Sequence, residues 1–422
     1  MSLLSNASVR RPTTARAAAL QPTTTVARRF GTTLRRQTLA WGLWACAWAA
    51  LCGTAVAETR VVNPTDAREL QLALASAADG DVIDLLPGVY QGEPLVLEGR
   101  RLTLRGVARS DKQRTVFQAP AKPGMARAML TVRGGEVTLV NLEFKGMRSS
   151  NAAGAGVRLE GGRLVVRRCR FVDNETGLAA GNDERAEVDV QDSLFGPAPQ
   201  VEGSLPHLID LGRIARFSIS GSRLQGGFEG HMLKSRARDT RITYNLLRDG
   251  AEGQASHEID LPVGGHAVVL GNIIIQAPRS QNPVVVAYGA EGRHWDTNKL
   301  YLAHNTLINQ KWTPAWFLRV FDDRLPADTQ VYGVNNLTLG GGVLGWGAPG
   351  HFEGNRSAWA GVLTAPDLGL YDLPLGSWLQ GAGSDPRRIG GLDLSPRAEF
   401  TPPLGTRAIP PLTRWIPGAV QR

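Results

Sequence analysis

The sequence predicts an all-β protein in which one strand motif is repeated along the chain. The segments that begin at His207, His231 and His257 share a histidine first, an aliphatic residue third and a charged residue fourth. Short apolar runs separated by polar turns dominate after Leu74, and helical periodicity is nearly absent there. Because the three segments carry the same residue pattern at a spacing of about 25 residues, we expect each copy to lie on the one before it.

The spacing of apolar residues predicts the architecture of the whole coil. Equivalent apolar positions recur every 23 to 33 residues, which suits a coil of three short strands per turn rather than helical repeats or propeller blades. These positions are Phe144, Phe171, Phe195, Leu224, Leu247, Ile274, Leu307 and Thr338. Two places earlier, a small or polar column ends in Asn245, Asn272, Asn305 and Asn336. We expect these amides to stack and hydrogen-bond at one corner of the coil.

The first 57 residues have the composition of an export signal. They contain seven arginines and no lysine, aspartate or glutamate, and an apolar run over 39–51 precedes the small-x-small pattern Ala55-Val56-Ala57. The apolar run is too short to span a bilayer comfortably, so we expect no integral membrane segment in the mature chain. Removal of residues 1–57 leaves 40 Lys and Arg against 38 Asp and Glu, and this balance does not favour a nucleic-acid partner. Only Cys169 then remains, which excludes an intramolecular disulfide.

The pattern of rungs resembles the right-handed parallel β-helix proteins of the pectin-lyase-like superfamily. The segment Leu70–Leu74, followed by residues 80–90, resembles their N-terminal cap and first strand. The resemblance implies a single-stranded right-handed parallel β-helix with an N-terminal cap and an irregular C-terminal tail that packs on it. The expected divisions are 1–57 for the export signal, 58–340 for the β-helix and 341–422 for the Pro/Gly-rich tail.

The fourth position of the repeated strand predicts a charged column. Since the aliphatic third position faces the core, Lys234 and Arg236 face outward beside Asp210 and Asp260. Proton removal next to a carboxylate requires that this charge be neutralised and that the base be tuned toward neutral pH. We therefore predict Lys234 as the base, Arg236 as the carboxylate clamp, and the two aspartates as groups that orient the lysine or help to bind a cation.

A local motif resembles the calcium-dependent alginate lyase and chondroitinase B family. It consists of Glu229, then Lys234-Ser235, then Gly271-Asn272 on the next rung. The resemblance implies that Glu229 binds calcium and that Lys234 removes a proton. Candidate substrate-binding residues lie on the same rungs or in the following loop: His231, His257, Tyr288, Glu291 and His294.

The sequence thus predicts an exported, periplasmic or extracellular enzyme that cleaves a uronate-containing polysaccharide by β-elimination. Two alternatives stay open, a glycoside hydrolase of the same fold and a non-catalytic carbohydrate-binding or envelope scaffold protein. The charged column is also explained as a ladder that holds the rungs in register, and the three histidines as a core-facing structural stack. The loops 276–283 and 289–299 are expected to wall a groove, which favours an enzyme.

Overall fold

The computed structural model describes residues 57–64, 67–108, 110, 113–200, 205–345 and 350–422. The predicted export signal therefore lies outside the described residues, apart from Ala57. The described chain is nearly all β, with one α-helix, α1 (Ala67–Ser76). In chain order the strands are β1 (Thr59–Val62), β2 (Val82–Leu85), β3 (Gly88–Tyr90), β4 (Leu95–Glu98), β5 (Arg101–Gly106), β6 (Thr115–Gln118), β7 (Ala128–Val140), β8 (Leu142–Lys145), β9 (Ala155–Arg167), β10 (Arg170–Val172), β11 (Thr176–Ala180), β12 (Asp183–Gln191), β13 (Leu194–Phe195), β14 (His207–Leu211), β15 (Ile214–Ser220), β16 (Arg223–Gln225), β17 (Leu233–Ser235), β18 (Asp239–Thr243), β19 (Leu246–Arg248), β20 (Ile259–Leu261), β21 (His266–Leu270), β22 (Ile273–Gln276), β23 (Val284–Tyr288), β24 (Lys299–Ala303), β25 (Thr306–Asn309), β26 (Ala315–Val320), β27 (Gln330–Val334), β28 (Leu337–Leu339), β29 (Gly342–Val343), β30 (His351–Glu353), β31 (Arg356–Ala358), β32 (Ala398–Phe400) and β33 (Thr406–Ala408).

The strands up to β31 form three parallel stacks. Sheet 1 contains β4, β7, β9, β11, β14, β17, β20, β23, β26 and β29, and sheet 2 contains β1, β2, β5, β7, β9, β12, β15, β18, β21, β24, β27 and β30. The long strands β7 and β9 run through both of these sheets. Sheet 3 contains β3, β6, β8, β10, β13, β16, β19, β22, β25, β28 and β31. Each turn of the coil adds one strand to each sheet, as β17, β18 and β19 do, so the fold is the parallel β-helix that the sequence predicts.

Apolar side chains fill the coil and fix its register. The predicted positions from Phe144 to Thr338 pair with one another in sheet 3. At the N-terminal end, five buried rings lie on one another with centroids 4.6 to 5.5 Å apart: Tyr90, Phe117, Phe144, Phe171 and Phe195. A shift of one residue would turn these side chains to solvent, so their burial strongly favours a single register.

The predicted asparagine ladder is confirmed and extends by one member to Asn355. The side-chain amides of Asn245, Asn272 and Asn305 each donate to the Oδ1 of the next asparagine at 3.0 Å. Asn336 donates to Asn355 at 2.9 Å, and each backbone N–H in this series also donates to that neighbouring Oδ1. The ladder thereby satisfies buried polar groups that would otherwise oppose folding.

The N-terminal end of the coil is capped by α1. Leu70 and Leu74 are buried and belong to the same apolar cluster as Ile83 and Leu85 of β2. Their spacing of four places both on one face of the helix. The amphipathic helix therefore covers the first rung of the core.

Parallel pairing continues past residue 340, where the sequence analysis places the start of the tail. β30 pairs with β27, and β31 pairs with β28. Beyond Ala358 come short 3₁₀ turns and the antiparallel pair β32–β33. Leu379 and Ile416 of this part are buried in one cluster with Ile273 and Leu337 of sheet 3. Ile389 and Leu394 are buried with Val268 and Tyr301 of sheet 2, so the tail packs on sheets 2 and 3, whereas the charged column lies on sheet 1.

Candidate functional site

Strands β14, β17 and β20 align the predicted charged column. Backbone pairing sets Asp210 opposite Lys234, and Lys234 opposite Asp260. The preceding residues in the strands, Ile209 and Leu233 among them, are fully buried. Since side chains alternate across a strand, the fourth position lies on the outer face of sheet 1. The predicted register is confirmed.

Lys234 lies between Asp210 and Asp260 in the column, as the sequence predicts, but its amino group contacts Asp260 and Glu291. Its Nζ is 3.1 Å from Glu291 Oε1 and 3.6 Å from Asp260 Oδ2, and its side chain is 15% exposed. Glu291 reaches the column from a tight turn in which Gly289 and Gly292 adopt a left-handed backbone that favours glycine (φ 86° for both). A loop from the following rung therefore changes the partner of the lysine.

Arg236 is held by two carboxylates. It donates two hydrogen bonds to Glu291, from Nε (2.8 Å) and Nη2 (2.7 Å), and one from Nη1 to Asp210 Oδ1 (3.2 Å). Its hydrogen bonds with Glu291 raise the pKa of Arg236 and hold the pKa of the Glu291 carboxyl below its usual value. Trp295 Nε1 donates to the carbonyl oxygen of Arg236 at 3.1 Å and fixes the backbone there. A substrate carboxylate would have to share or displace these bonds.

The three histidines stack, but at the outer edge of the coil rather than in its core. Ring centroids are 5.1 Å apart for His207 and His231, and 4.8 Å apart for His231 and His257. All three are partly exposed. The core-facing expectation is met only in part, since His207 begins β14, whereas His231 and His257 precede β17 and β20, and none of the three is fully buried.

Only His231 of the three faces a carboxylate. Its Nδ1 lies 3.1 Å from Asp260 Oδ2. His207 Nδ1 accepts the backbone N–H of His231 at 2.8 Å, and His257 Nδ1 lies 3.0 Å from the hydroxyl of Ser256. Burial lowers the pKa of His207 and of His257 to about 4, so both rings are neutral at neutral pH.

Asp260 is the most buried charge of the column, with a side chain only 6% exposed. Burial by itself would raise its pKa, but the neighbouring His231 and Lys234 outweigh that effect and hold the pKa of Asp260 below its usual value. The carboxylate is therefore ionised at neutral pH. It presents one oxygen to two groups that can carry a proton.

Two predicted substrate-binding residues are placed elsewhere. Tyr288 is fully buried, and its hydroxyl donates to Gly265 O at 2.6 Å, so it cannot contact a polymer. It pairs with Leu261 and Val320 on the core-facing side, one residue away from the alignment that the sequence suggested. His294 Nε2 lies 2.9 Å from Glu184 Oε1, so its partner belongs to β12 rather than to the column.

The predicted calcium site does not fit the donor atoms. Calcium takes six to eight oxygen ligands, usually with several carboxylates among them. The part of the chain that the structure describes contains no group of three or more His, Cys, Asp or Glu side chains placed to hold a metal ion. The residues that precede the lysine supply no second carboxylate, since they are His231, Met232 and Leu233, and the last two are fully buried. Glu229 thus has no partner set for calcium among the described residues.

A hollow of about 390 Å³ opens beside Arg236. Its floor contains small residues, because Ala179 occupies the fourth position on the rung between Arg158 and Asp210. The lining residues are Arg158, Ala179, Ala180, Gly181, Asn182, Asp210, Gly212, Arg213, Arg236, Val263 and Glu291. Three guanidinium groups around a shallow polar hollow suit an anionic ligand.

Sequence reasoning missed Arg158 and Arg213. Arg158 occupies the fourth position of its strand, two rungs before Asp210, so extending the repeat upstream would have found it. Arg213 lies in the turn after β14, where the backbone N–H donates to Asn182 Oδ1 at 2.9 Å. Turn geometry, rather than a repeat, brings that arginine to the hollow.

Comparisons with known proteins support the fold. The crystal structure of pectate lyase Pel9A is similar with a TM-score of 0.59 and 15% identity, covering 81% of this chain and 96% of that one. An alginate lyase from Paenibacillus sp. strain FPU-7 gives a TM-score of 0.48 and 15% identity, covering 71% of this chain and 99% of that one. No protein family and no curated protein match the sequence. The similarity to pectate lyase Pel9A shows a shared parallel β-helix.

Proposed function

We propose that the protein is an exported polysaccharide lyase that cleaves a uronate-containing polysaccharide by β-elimination. The observation that carries this proposal is the hollow lined by Arg158, Arg213 and Arg236, which opens directly beside the column that contains Lys234. Guanidinium groups bind carboxylates through paired N–H donors, and the polymer would lie along the outer face of sheet 1. The lyases that share the fold are consistent with this chemistry.

Arg236, Lys234 and Glu291 each have a separate role in the proposed reaction. Arg236 neutralises the carboxylate of the bound uronate, which makes the neighbouring proton more acidic. Lys234 removes that proton as the base. In the absence of substrate Glu291 forms ion pairs with Lys234 and Arg236, and it moves aside when the polymer carboxylate binds.

Export is part of the proposal. It rests on the composition of residues 1–57, where arginines and an apolar run precede a small-x-small pattern. Within the described residues, no helix is long and apolar enough to cross a bilayer. The periplasm or the exterior is where an acidic polysaccharide would be met.

The test is product formation on a panel of acidic polysaccharides. Purified protein is mixed with polymannuronate, polyguluronate, polygalacturonate and hyaluronan, and the absorbance of the new conjugated double bond is followed. We expect a rise with at least one polymer, and a loss of about 100-fold in kcat for Lys234→Met, since general acid–base groups contribute factors of this size. Lys145→Met, which removes an exposed lysine on sheet 3, is the matched control.

Other outcomes separate the alternatives. New reducing ends without a double bond would establish hydrolysis and overturn β-elimination. Retention of the polymers on immobilised protein, with neither product, would establish a carbohydrate-binding protein that uses the same hollow. Equal activity of Lys234→Met and the wild type would remove the column from the reaction.

A further inference from the structure

We infer that His231, whose Nδ1 lies within ion-pair distance of Asp260, donates the proton that the leaving sugar oxygen takes up, and that the enzyme is selective for uronates eliminated in the syn sense. This inference rests on the proposed function. β-Elimination needs two proton transfers, and the column as described so far supplies a group for only one of them.

His231 is distinguished from its neighbours by its partner. Its Nδ1 lies 3.1 Å from Asp260 Oδ2, whereas the corresponding nitrogen of His207 accepts a backbone N–H and that of His257 lies beside a serine hydroxyl. A carboxylate opposite Nδ1 sets the orientation of an imidazole, as an aspartate does beside a catalytic histidine in hydrolases. The other nitrogen, Nε2, then faces away from Asp260 and can donate.

The charges around His231 suit this role. Asp260 is nearly buried and ionised, so it supplies the counter-charge for an imidazolium. His207 and His257, whose rings lie on either side, are neutral and add no opposing charge. In the free enzyme Lys234 pairs with Asp260 and with Glu291, and it acts as a base only after it has given up its proton to solvent. No second carboxylate is found within ion-pair distance of His231 among the described residues.

The step balances as follows. The amine of Lys234 takes the proton from carbon 5 of the uronate, and the electron pair of that C–H bond forms the double bond between carbons 4 and 5. The bond from carbon 4 to the glycosidic oxygen breaks with its electron pair, and that oxygen takes the proton from Nε2 of His231. One product chain ends in a hydroxyl group and the other in an unsaturated uronate. Solvent then returns His231 and Lys234 to their starting protonation states.

The placement of the two groups determines the stereochemistry. Both His231 and Lys234 contact the same oxygen of Asp260 on the outer face of sheet 1, so both approach the sugar from one side. The proton on carbon 5 and the oxygen on carbon 4 must then lie on the same face of the ring. Mannuronate and glucuronate have this arrangement, whereas guluronate and galacturonate have the opposite one.

The test combines substitution with chemical rescue. With polymannuronate as substrate, we expect His231→Gln to lower kcat by about 100-fold or more while KM changes by no more than about 3-fold. Added imidazole should restore part of the activity of His231→Ala, which a purely structural role would not allow. Asp260→Asn should also lower kcat, but imidazole should not restore it, because the orienting carboxylate would still be missing.

A matched control comes from β30. His351 Nε2 lies 2.8 Å from Glu353 Oε2, so His351→Gln also removes a histidine paired with a carboxylate, but on the exposed end of the coil. This variant should keep wild-type kcat. Thermal melting of each variant establishes that it is folded.

The failures are distinguishable. If the wild type cleaves polymannuronate and His231→Gln does so equally well, the role of His231 is overturned while the proposed function stands. If polyguluronate or polygalacturonate were cleaved as fast as polymannuronate, the proposed selectivity for syn elimination would be overturned, and the role of His231 would stand. No cleavage of any polymer by the wild type would overturn both the proposed function and this inference.

Discussion

The asparagine ladder and the charged column use the same stacking of rungs for opposite purposes. In the ladder, every rung from Asn245 to Asn355 supplies the same residue, and each amide donates to the next at 2.9 to 3.0 Å. In the column, the residue changes at each rung, and Asp260 Oδ1 is buried without a hydrogen-bond partner among the described residues. An asparagine side chain both donates and accepts, so a column of asparagines satisfies its own hydrogen-bonding groups and stabilises the coil. A column of different charges cannot satisfy itself in this way, and it leaves a buried polar atom without a partner.

The largest difference between the two regions should appear in stability. Asn272→Ala removes a fully buried amide that donates to Ile242 O and Asn305 and accepts from Asn245. Since each buried partner left unsatisfied costs about 1–3 kcal/mol, we expect a loss of about 3 kcal/mol or more in the free energy of unfolding. Urea denaturation measures it.

The open end of the ladder supplies the control for that substitution. Asn355→Ala acts where the residue is only partly buried, so it should cost clearly less than Asn272→Ala. Activity per folded molecule should stay unchanged in both variants. An equal cost at both positions would mean that burial does not determine the strength of the ladder.

A smaller effect is expected where the column binds substrate. Glu291→Gln removes the carboxylate that occupies Arg236 and Lys234, so a polymer carboxylate no longer competes with it. We expect KM for an acidic polymer to fall about 5-fold, a change comparable with the loss of one partly exposed ion pair. Steady-state kinetics measures the change. Asp296→Asn, on the same loop and fully exposed, should leave KM unaltered, and a rise in KM for Glu291→Gln would mean that Glu291 positions Arg236 for the substrate.

The next smaller effect is on the pH dependence of the melting temperature, and it concerns Glu258, two residues before Asp260. Glu258 is fully buried, both of its carboxylate oxygens lack a hydrogen-bond partner among the described residues, and burial raises its pKa well above the usual value. A folded-state pKa above the unfolded value contributes stability at low pH that is lost as the pH rises through the folded pKa. We expect the melting temperature to fall from pH 5 to pH 8 by less in Glu258→Gln than in the wild type. Glu252→Gln, an exposed change, should keep the wild-type slope, and an unaltered slope in Glu258→Gln would contradict the expectation.

The smallest effect should follow metal removal. Because the described residues around Glu229 include no set of three acidic or histidine ligands, treatment with a chelator should change neither activity nor melting temperature. Calcium added back after dialysis is the control. A loss of activity that calcium restores would show that the column and its surroundings hold a cation after all.

Much of the fold followed from periodicity. The apolar positions and the asparagines recur with the rungs, so the sequence predicts both their register and their burial without knowledge of distant contacts. The column formed by Asp210, Lys234 and Asp260 follows from the same argument. Tyr288 shows the limit of that argument, because an error of one residue in the alignment of its strand exchanges the two faces, and Ala287 rather than Tyr288 lies opposite Asp260 of the column.

The sequence by itself determined the coil, its inner ladders and the outward row of charges, because these depend on a repeat that every rung obeys. Only the tertiary structure decided which groups meet. Glu291 reaches Lys234 and Arg236 from a glycine turn, Asp260 faces His231, and Arg158 and Arg213 gather around a floor of small residues. Loops and side-chain directions between rungs have no period, so their contacts depend on the folded geometry rather than on spacing along the chain.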